Sequence, residues 1–270
     1  MNKILTLYNI EFKRIYKLYF TLLGLLLVGN IGIVAKQLNR QANIAASKVK
    51  AKVSMELLKS PLVKNELLFK GGIDDIYLFT TIILGIAVMF CLIYCIVIWY
   101  RDFVGKNKTA YTLFMLPNNK FAIYISKAMT IVVMIYGVIM TQILSWIIDS
   151  NIIKMLCNID IYQIKYIILH LRPRHLIQPY LLDFIMVDVI GVILAVLVIF
   201  TAVMIQKSFK IKGMILGIIY TLASIVIYAF IIFYAHYSDK ILVLHSIYYI
   251  ALFTISTTLS YYLINKKIHL

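Results

Sequence analysis

The fold is organised around the stretch RDFVGKNKTAYTLFMLPNNKFAIYISK, residues 101–127, which joins two long apolar runs. It holds one acid, Asp102, against five cations: Arg101, Lys106, Lys108, Lys120 and Lys127. The positive-inside rule assigns a loop of this charge to the cytoplasm. Residues 109–115 form a short apolar and aromatic patch, which the turn residues 117–119 end. The pattern predicts a short amphipathic helix at a membrane exit, suited to docking on a soluble partner.

The composition of the 270-residue chain is that of an integral membrane protein. The sequence is 63% hydrophobic and 14% charged, with a mean hydropathy of +0.92. A soluble domain is about 45–50% apolar and about 25% charged. The net charge of +16 lies mostly beside apolar runs, so membrane orientation and anionic lipid explain it better than nucleic acid does. We therefore expect membrane lipid, and no nucleic acid, among its partners.

The apolar runs predict an all-α protein of six transmembrane helices in a single domain over residues 1–270. The predicted spans are residues 18–35, 77–100, 123–148, 183–206, 213–234 and 240–264.

Four segments outside the spans have their own predicted roles. Residues 1–17 place Leu7, Glu11 and Ile15 on one stripe, with most cations off it, which is typical of an amphipathic helix in the membrane interface. Residues 36–76 are predicted to be an external loop with one or two helices, broken at Pro61 and at residues 71–72. Residues 101–122 form the cytoplasmic loop. Residues 149–182 are predicted to be external or re-entrant.

Charge predicts the orientation of the spans. The segments placed inside are residues 1–17, 101–127, the short turn 207–212 and the tail 265–270. Together they hold fourteen of the 27 cations but only two of the 11 acids, Glu11 and Asp102. Both termini are then cytoplasmic, and the protein is a multi-pass protein of the cell membrane. The composition, rich in Tyr, Ile and Lys, is typical of a low-GC Gram-positive bacterium.

A few residues within the spans are candidates for specific roles. Asp188 is a buried acid and a candidate for substrate or ion handling, with hydration at the outer surface or a bond to another helix as the alternative. Asn30 is expected to bond to a neighbouring helix or to contact substrate. The candidates for the translocation path are Asp188, Asn30 and Gln142. Three glycines of the first span suggest close helix packing: Gly24, Gly29 and Gly32.

Motifs for catalysis are absent from the sequence. It contains no P-loop, no H-E-x-x-H, no G-x-S-x-G and no C-x-x-C. Cys91 and Cys95 share one helical face within an apolar run, where packing explains them better than metal binding. We therefore expect no catalytic, cofactor-binding or metal-binding residue in this chain.

Around the basic loop the chain resembles the transmembrane permease subunits of the ABC transporter type-two (export) family. The residues that carry the resemblance are the short helix after the second span (GKNKTAYTLFM, residues 105–115), then Leu116-Pro117, then Asn118-Asn119-Lys120, and Lys127 at the start of the third span. Six spans with both termini inside also match the layout of that family.

The resemblance implies that the chain is not itself an ATPase. The short helix would be a coupling helix seated on a separate ATP-binding cassette subunit, which would bind ATP and Mg. A second permease copy or a sister permease would complete the pore. The implied docking residues are Lys106, Asn107, Lys108, Thr109, Ala110, Tyr111, Thr112, Leu113 and Phe114.

For cargo, the apolar spans favour an amphipathic or hydrophobic peptide, such as a bacteriocin or toxin that is exported or cleared for self-protection. A lipid, a drug-like amphiphile or a polysaccharide remains open. Two other functions also stay open: a proton-coupled secondary transporter that uses Asp188 and Asp183, and a non-transporting sensor or assembly protein whose long first loop binds an external partner.

Overall fold

The computed structural model describes residues 2–49, 58–69, 72–104, 120–159, 189–235 and 241–266. This part of the chain is helical and contains no strand. Its helices are α1 (Asn2–Val49), α2 (Pro61–Phe69), α3 (Gly72–Val104), α4 (Lys120–Cys157), α5 (Gly191–Ala235) and α6 (Ile241–Lys266).

Six helical segments of the described residues are long and apolar enough to cross a membrane. They are Ile4–Lys48, Asp75–Phe103, Lys120–Cys157, Gly191–Phe209, Ile211–Ile231 and Val243–Lys266. The predicted fold class, an all-α multi-pass membrane protein with six spans, is confirmed.

Helix α1 runs past two predicted boundaries. The sequence predicts an interfacial helix over residues 1–17 and a separate span after it, but α1 continues without a break to Val49. The chain has no Pro or Gly before Gly24 that would end a helix there. The predicted helix is therefore present, although it does not end at residue 17, and its place in the membrane interface stays a prediction.

The long first loop is partly helical, as predicted. Helix α2 begins at Pro61, where a proline fits the first turn, and the Ser60 carbonyl accepts a hydrogen bond from the Lys64 amide at 3.2 Å. Helix α3 begins at Gly72. The two predicted breaks in the loop are thus points where new helices start.

Helix α4 is longer than the predicted third span. It extends through Asp149 to Cys157, so the first part of the segment predicted to be external or re-entrant, residues 149–182, belongs to the third-span helix. Asn158 ends the helix with a positive φ of 52°, and its amide donates to the Lys154 carbonyl at 2.9 Å. Residues 160–182 lie outside the described part of the chain.

The helical segment α5 contains two spans that form a hairpin. The backbones of the two arms are in contact. A Cβ added at Gly213 would lie 2.5 Å from the Ile205 carbonyl oxygen, and one at Gly217 would lie 2.9 Å from that of Ala202. Residues 202 and 217 would be roughly 22 Å apart in an uninterrupted helix. The chain therefore reverses direction between the arms, and two glycines four residues apart allow the close approach.

The glycines of the first span behave differently. A Cβ at Gly24 or Gly32 would meet no atom within 4 Å, while one at Gly29 would contact Ile83 at 3.3 Å. The expected close packing at Gly24 and Gly32 is wrong for the described residues. Close glycine contacts lie at Gly29 in the first span, at Gly137 in α4 and at the two glycines of α5.

Alanine at either hairpin glycine should destabilise the fold. Gly213→Ala or Gly217→Ala forces the arms apart, and overpacking of this kind costs about 1–3 kcal/mol. Gly85→Ala is the matched control, because a Cβ there meets nothing within 4 Å. Thermal unfolding of the detergent-solubilised protein measures the difference. Equal melting temperatures for all three variants would contradict this packing.

The chain divides into two compact units. Unit 1 comprises Met1–Tyr16, Met89–Tyr136 and Tyr180–Leu270, and unit 2 comprises Lys17–Val88 and Gly137–Pro179. Helices α1, α3 and α4 each contribute residues to both units.

In unit 1, an aromatic cluster joins three helices. The ring of Trp99 lies 5.6 Å from that of Phe200 and 6.3 Å from that of Tyr124, centroid to centroid. Trp99 is only 1% exposed, so it is buried inside the protein. Hydroxyl groups link the hairpin to α6, with Thr201 2.9 Å from Ser260.

In unit 2, the core is built from α1, α2, α3 and α4. Its buried members are Val34, Leu38, Ala45, Val63, Leu67, Ile76, Tyr77, Ile153, Cys157 and Ile159. The sequence predicts that these helix ends belong to one external side, and the structure brings them together. Which side of the membrane they occupy stays a prediction.

Cysteine labelling can test the predicted orientation. Cys91, Cys95 and Cys157 are buried, so the background is low. In intact cells a membrane-impermeant maleimide should label Leu62→Cys, in α2, and should label Ile211→Cys only after permeabilisation. Both positions are exposed, at 42% and 79%. The opposite pattern would invert the topology, and the unsubstituted protein controls for native thiols.

Candidate functional site: a buried charge cluster

The most concentrated group of charges in the described residues lies in unit 1. We name it the charge cluster, and its members are Glu11, Arg14, Arg101, Asp102 and Lys127. The Lys127 Nζ donates to Glu11 Oε1 at 2.7 Å and also to Asp102 Oδ2. The Arg101 Nη2 donates to the second oxygen of Glu11. Glu11 therefore connects α1 to both α3 and α4.

Burial makes these contacts interdependent. The Lys127 side chain is 1% exposed, and those of Asp102 and Glu11 are 2% and 6% exposed. A charge taken out of water is tolerated only with a partner, and Lys127 has two carboxylates. Arg14 completes the cluster from the more exposed side, 3.5 Å from Glu11 and 3.7 Å from Asp102.

Aromatic rings surround the cationic groups. The Lys127 ammonium lies 5.3 Å from the centre of the Trp99 ring, and Arg101 donates to the Tyr94 hydroxyl at 3.0 Å. In the hairpin, the Lys207 ammonium lies 4.3 Å from the Tyr100 ring centre. Two predicted cytoplasmic segments, the end of the second span and the turn at residues 207–212, are thus neighbours.

The charge cluster contains residues from both sides of the predicted docking segment. Asp102 lies just before residues 105–119 and Lys127 lies shortly after them, and the two side chains are bonded to each other. The nine predicted docking residues, 106–114, lie outside the described part of the chain. The structure therefore describes the base of the loop but not the predicted coupling helix itself.

Two candidates for the translocation path are brought together in unit 2. The Asn30 amide nitrogen donates to Gln142 Oε1 at 3.0 Å, and the Gln142 amide nitrogen donates back at 3.1 Å. Both residues are buried. The expected bond from Asn30 to a neighbouring helix is confirmed, while a role in transport stays a prediction. Asp188 and Asp183 lie outside the described residues.

Further polar residues continue along the same face of α4 towards its C-terminal end. The Trp146 indole nitrogen donates to the Thr80 hydroxyl at 3.0 Å. Asp149, one turn further on, is 0% exposed. The sequence predicts that Asp149 begins an external segment, so its burial was not expected. The helical spacing of Gln142, Trp146 and Asp149 is the sequence signal that would have found it.

An apolar pocket of about 390 Å³ lies in unit 1 between α5 and α6. Its lining is Ile190, Ile193, Leu194, Ser246, Tyr249, Ile250 and Phe253. The lining suits an aliphatic or aromatic group rather than a charged one.

The described residues contain no group of three or more His, Cys, Asp or Glu side chains placed to hold a metal ion.

No family model, no curated protein and no solved structure matches the chain.

Loss of the central cation should destabilise the protein. Lys127→Met leaves Glu11 and Asp102 buried with one partner fewer, and breaking a buried pair costs about 3–5 kcal/mol. Lys154→Met is the matched control, because Lys154 lies on the same helix and is exposed. Thermal unfolding in detergent measures both variants. A melting temperature of Lys127→Met equal to that of the control would contradict the cluster.

Proposed function

We propose that this chain is the membrane-spanning permease subunit of an ATP-driven exporter and is coupled to a separate ATP-binding cassette subunit. The observation that carries the proposal is the charge cluster, which joins both flanks of residues 105–119 to the N-terminal helix. A segment that receives force from a soluble partner needs a rigid base in the membrane. Three helices joined by buried ion pairs supply one.

The mechanism follows from this connection. A partner that binds ATP and Mg would grip residues 106–114 and move them as its nucleotide state changes. Because Asp102 and Lys127 are bonded to each other, the ends of α3 and α4 would move together. Glu11 would pass that movement to α1. The sequence has no P-loop, so hydrolysis belongs to the partner.

The assembly would contain a second permease, either another copy or a sister chain, in the cell membrane of a low-GC Gram-positive bacterium. Both termini would be cytoplasmic. An amphipathic or hydrophobic peptide is the proposed cargo. The pocket of about 390 Å³ supports this class, because its lining fits an apolar side chain of such a peptide.

A proton-coupled secondary transporter is the second candidate. One observation favours it, the fully buried acid Asp149 in unit 2. Transport by the purified chain alone in liposomes, abolished by an uncoupler, would support this candidate. Transport that requires ATP and a second subunit would support the first.

Charged residues in the docking segment should separate the chain from its ATPase. In Leu113→Glu/Phe114→Glu the apolar contact with the partner is lost, so the ATP-binding subunit should no longer co-purify with the tagged chain from native membranes. Mass spectrometry of the purified material identifies the partner, and membrane extraction checks that insertion is unchanged.

Leu62→Glu is the matched control for the docking experiment. It places one glutamate on a half-exposed apolar residue of α2, outside the proposed contact. The control should retain the ATP-binding subunit. Co-purification that persists in the double variant would overturn the docking assignment.

A further inference from the structure

The carboxyl group of Asp149 is the most isolated buried acid in the described residues. Asp149 is 0% exposed, and neither of its carboxyl oxygens has a hydrogen-bond partner among these residues. The other buried acids, Glu11 and Asp102, each have cationic partners. Asp149 therefore has a different chemistry from the charge cluster.

The described surroundings of Asp149 offer its carboxyl group no hydrogen-bond donor. The Tyr77 hydroxyl, from α3, is also buried without a partner, and the Tyr77 ring lies 6.1 Å from that of Trp146 on α4. The nearest polar neighbours along α4 have other bonds: Trp146 donates to Thr80 and Ser145 donates to the Thr141 carbonyl. Lys154, on the same helix, is exposed.

Other charges of unit 2 are also paired away from this residue. Asp75 accepts from the Gln37 amide at 3.0 Å and lies 3.8 Å from the Arg40 guanidinium. Neither carboxyl oxygen of Asp149 accepts a hydrogen bond from a charged group of the described residues. An ionised carboxylate in such a place would carry the full cost of its lost hydration.

The polar groups near Asp149 decide which ligand could offset the cost of burying its charge. Calcium takes six to eight oxygen ligands and magnesium needs a near-octahedral set. Asp149 and Tyr77 offer one carboxyl and one hydroxyl, and no cluster of three or more His, Cys, Asp or Glu side chains surrounds them among the described residues. A proton neutralises the carboxylate, needs no further space and provides a hydrogen-bond donor.

We propose that Asp149 is a proton-binding site and that its carboxyl group is neutral in the closed core of unit 2. One proton adds to the carboxylate to give the carboxylic acid, with no other change in bonding. The neutral acid and the Tyr77 hydroxyl are then both uncharged polar groups buried in unit 2. A conformation that admits water to this core would release the proton. The inference does not depend on an ATPase partner.

Infrared difference spectroscopy of the reconstituted protein tests this assignment. At mildly acidic pH the protein should show the C=O stretching band of a neutral carboxylic acid, and that band should disappear in Asp149→Asn. Asp75→Asn is the matched control. It removes an acid that has an amide and a guanidinium partner, so the neutral-acid band should remain.

A second measurement keeps the proposal testable if Asp149→Asn does not fold. In protein labelled with ¹³C at the aspartate carboxyl carbons, the neutral-acid band should carry an isotope shift, and Asp149→Glu should remove that shift while the band remains. The asparagine variant should also keep the melting temperature of the wild type, because its amide has the shape of the neutral acid.

One outcome would overturn the proposal. If Asp149→Asn removes a band of an ionised carboxylate and leaves the neutral-acid region unchanged, the residue is charged and a cation compensates it. Export measurements are not needed for this result, so it is independent of the outcome of the docking experiment.

Discussion

The pairing of one buried ammonium with two carboxylates is the constraint on which unit 1 depends. Lys127 would not be stable in its 1% exposed position without Glu11 and Asp102, and these acids need Lys127 in return. The three residues come from three helices. Their bonds fix where α1, α3 and α4 meet at the base of the basic loop. Apolar packing against lipid has no such directionality, so the ion pairs select one arrangement of the helices.

The spans could be predicted from the sequence because length and hydropathy decide which segments cross a membrane. The breaks at Pro61 and Gly72 were predictable for a similar reason, since both residues act locally on the backbone. The end of α4 was harder. Asn158 ends that helix through its own backbone conformation, and nothing in the composition around Asp149 marks the helix as continuing past it.

Contacts between residues far apart in the sequence were harder to predict. Glu11 lies on the apolar stripe of the N-terminal helix, which marks it as an acid that needs a partner, but the stripe does not name Arg101 or Lys127. The Asn30 bond to another helix was predicted, whereas Gln142 was only a separate candidate. In α5, by contrast, the local pattern GMILG at residues 213–217 is typical of close helix packing. Such packing was predicted only for the glycines of the first span.

The long sequence separation within the charge cluster has a consequence for biogenesis. Glu11 precedes Arg101 by 90 residues and Lys127 by 116 residues. During synthesis Glu11 therefore leaves the ribosome with Arg14 close behind it, but long before Arg101 and Lys127. An acid that lacks these two buried partners is costly away from water, so the leading segment has to remain hydrated through that interval. The final seating of the amino-terminal helix is then one of the later events of assembly, completed only when the third span arrives.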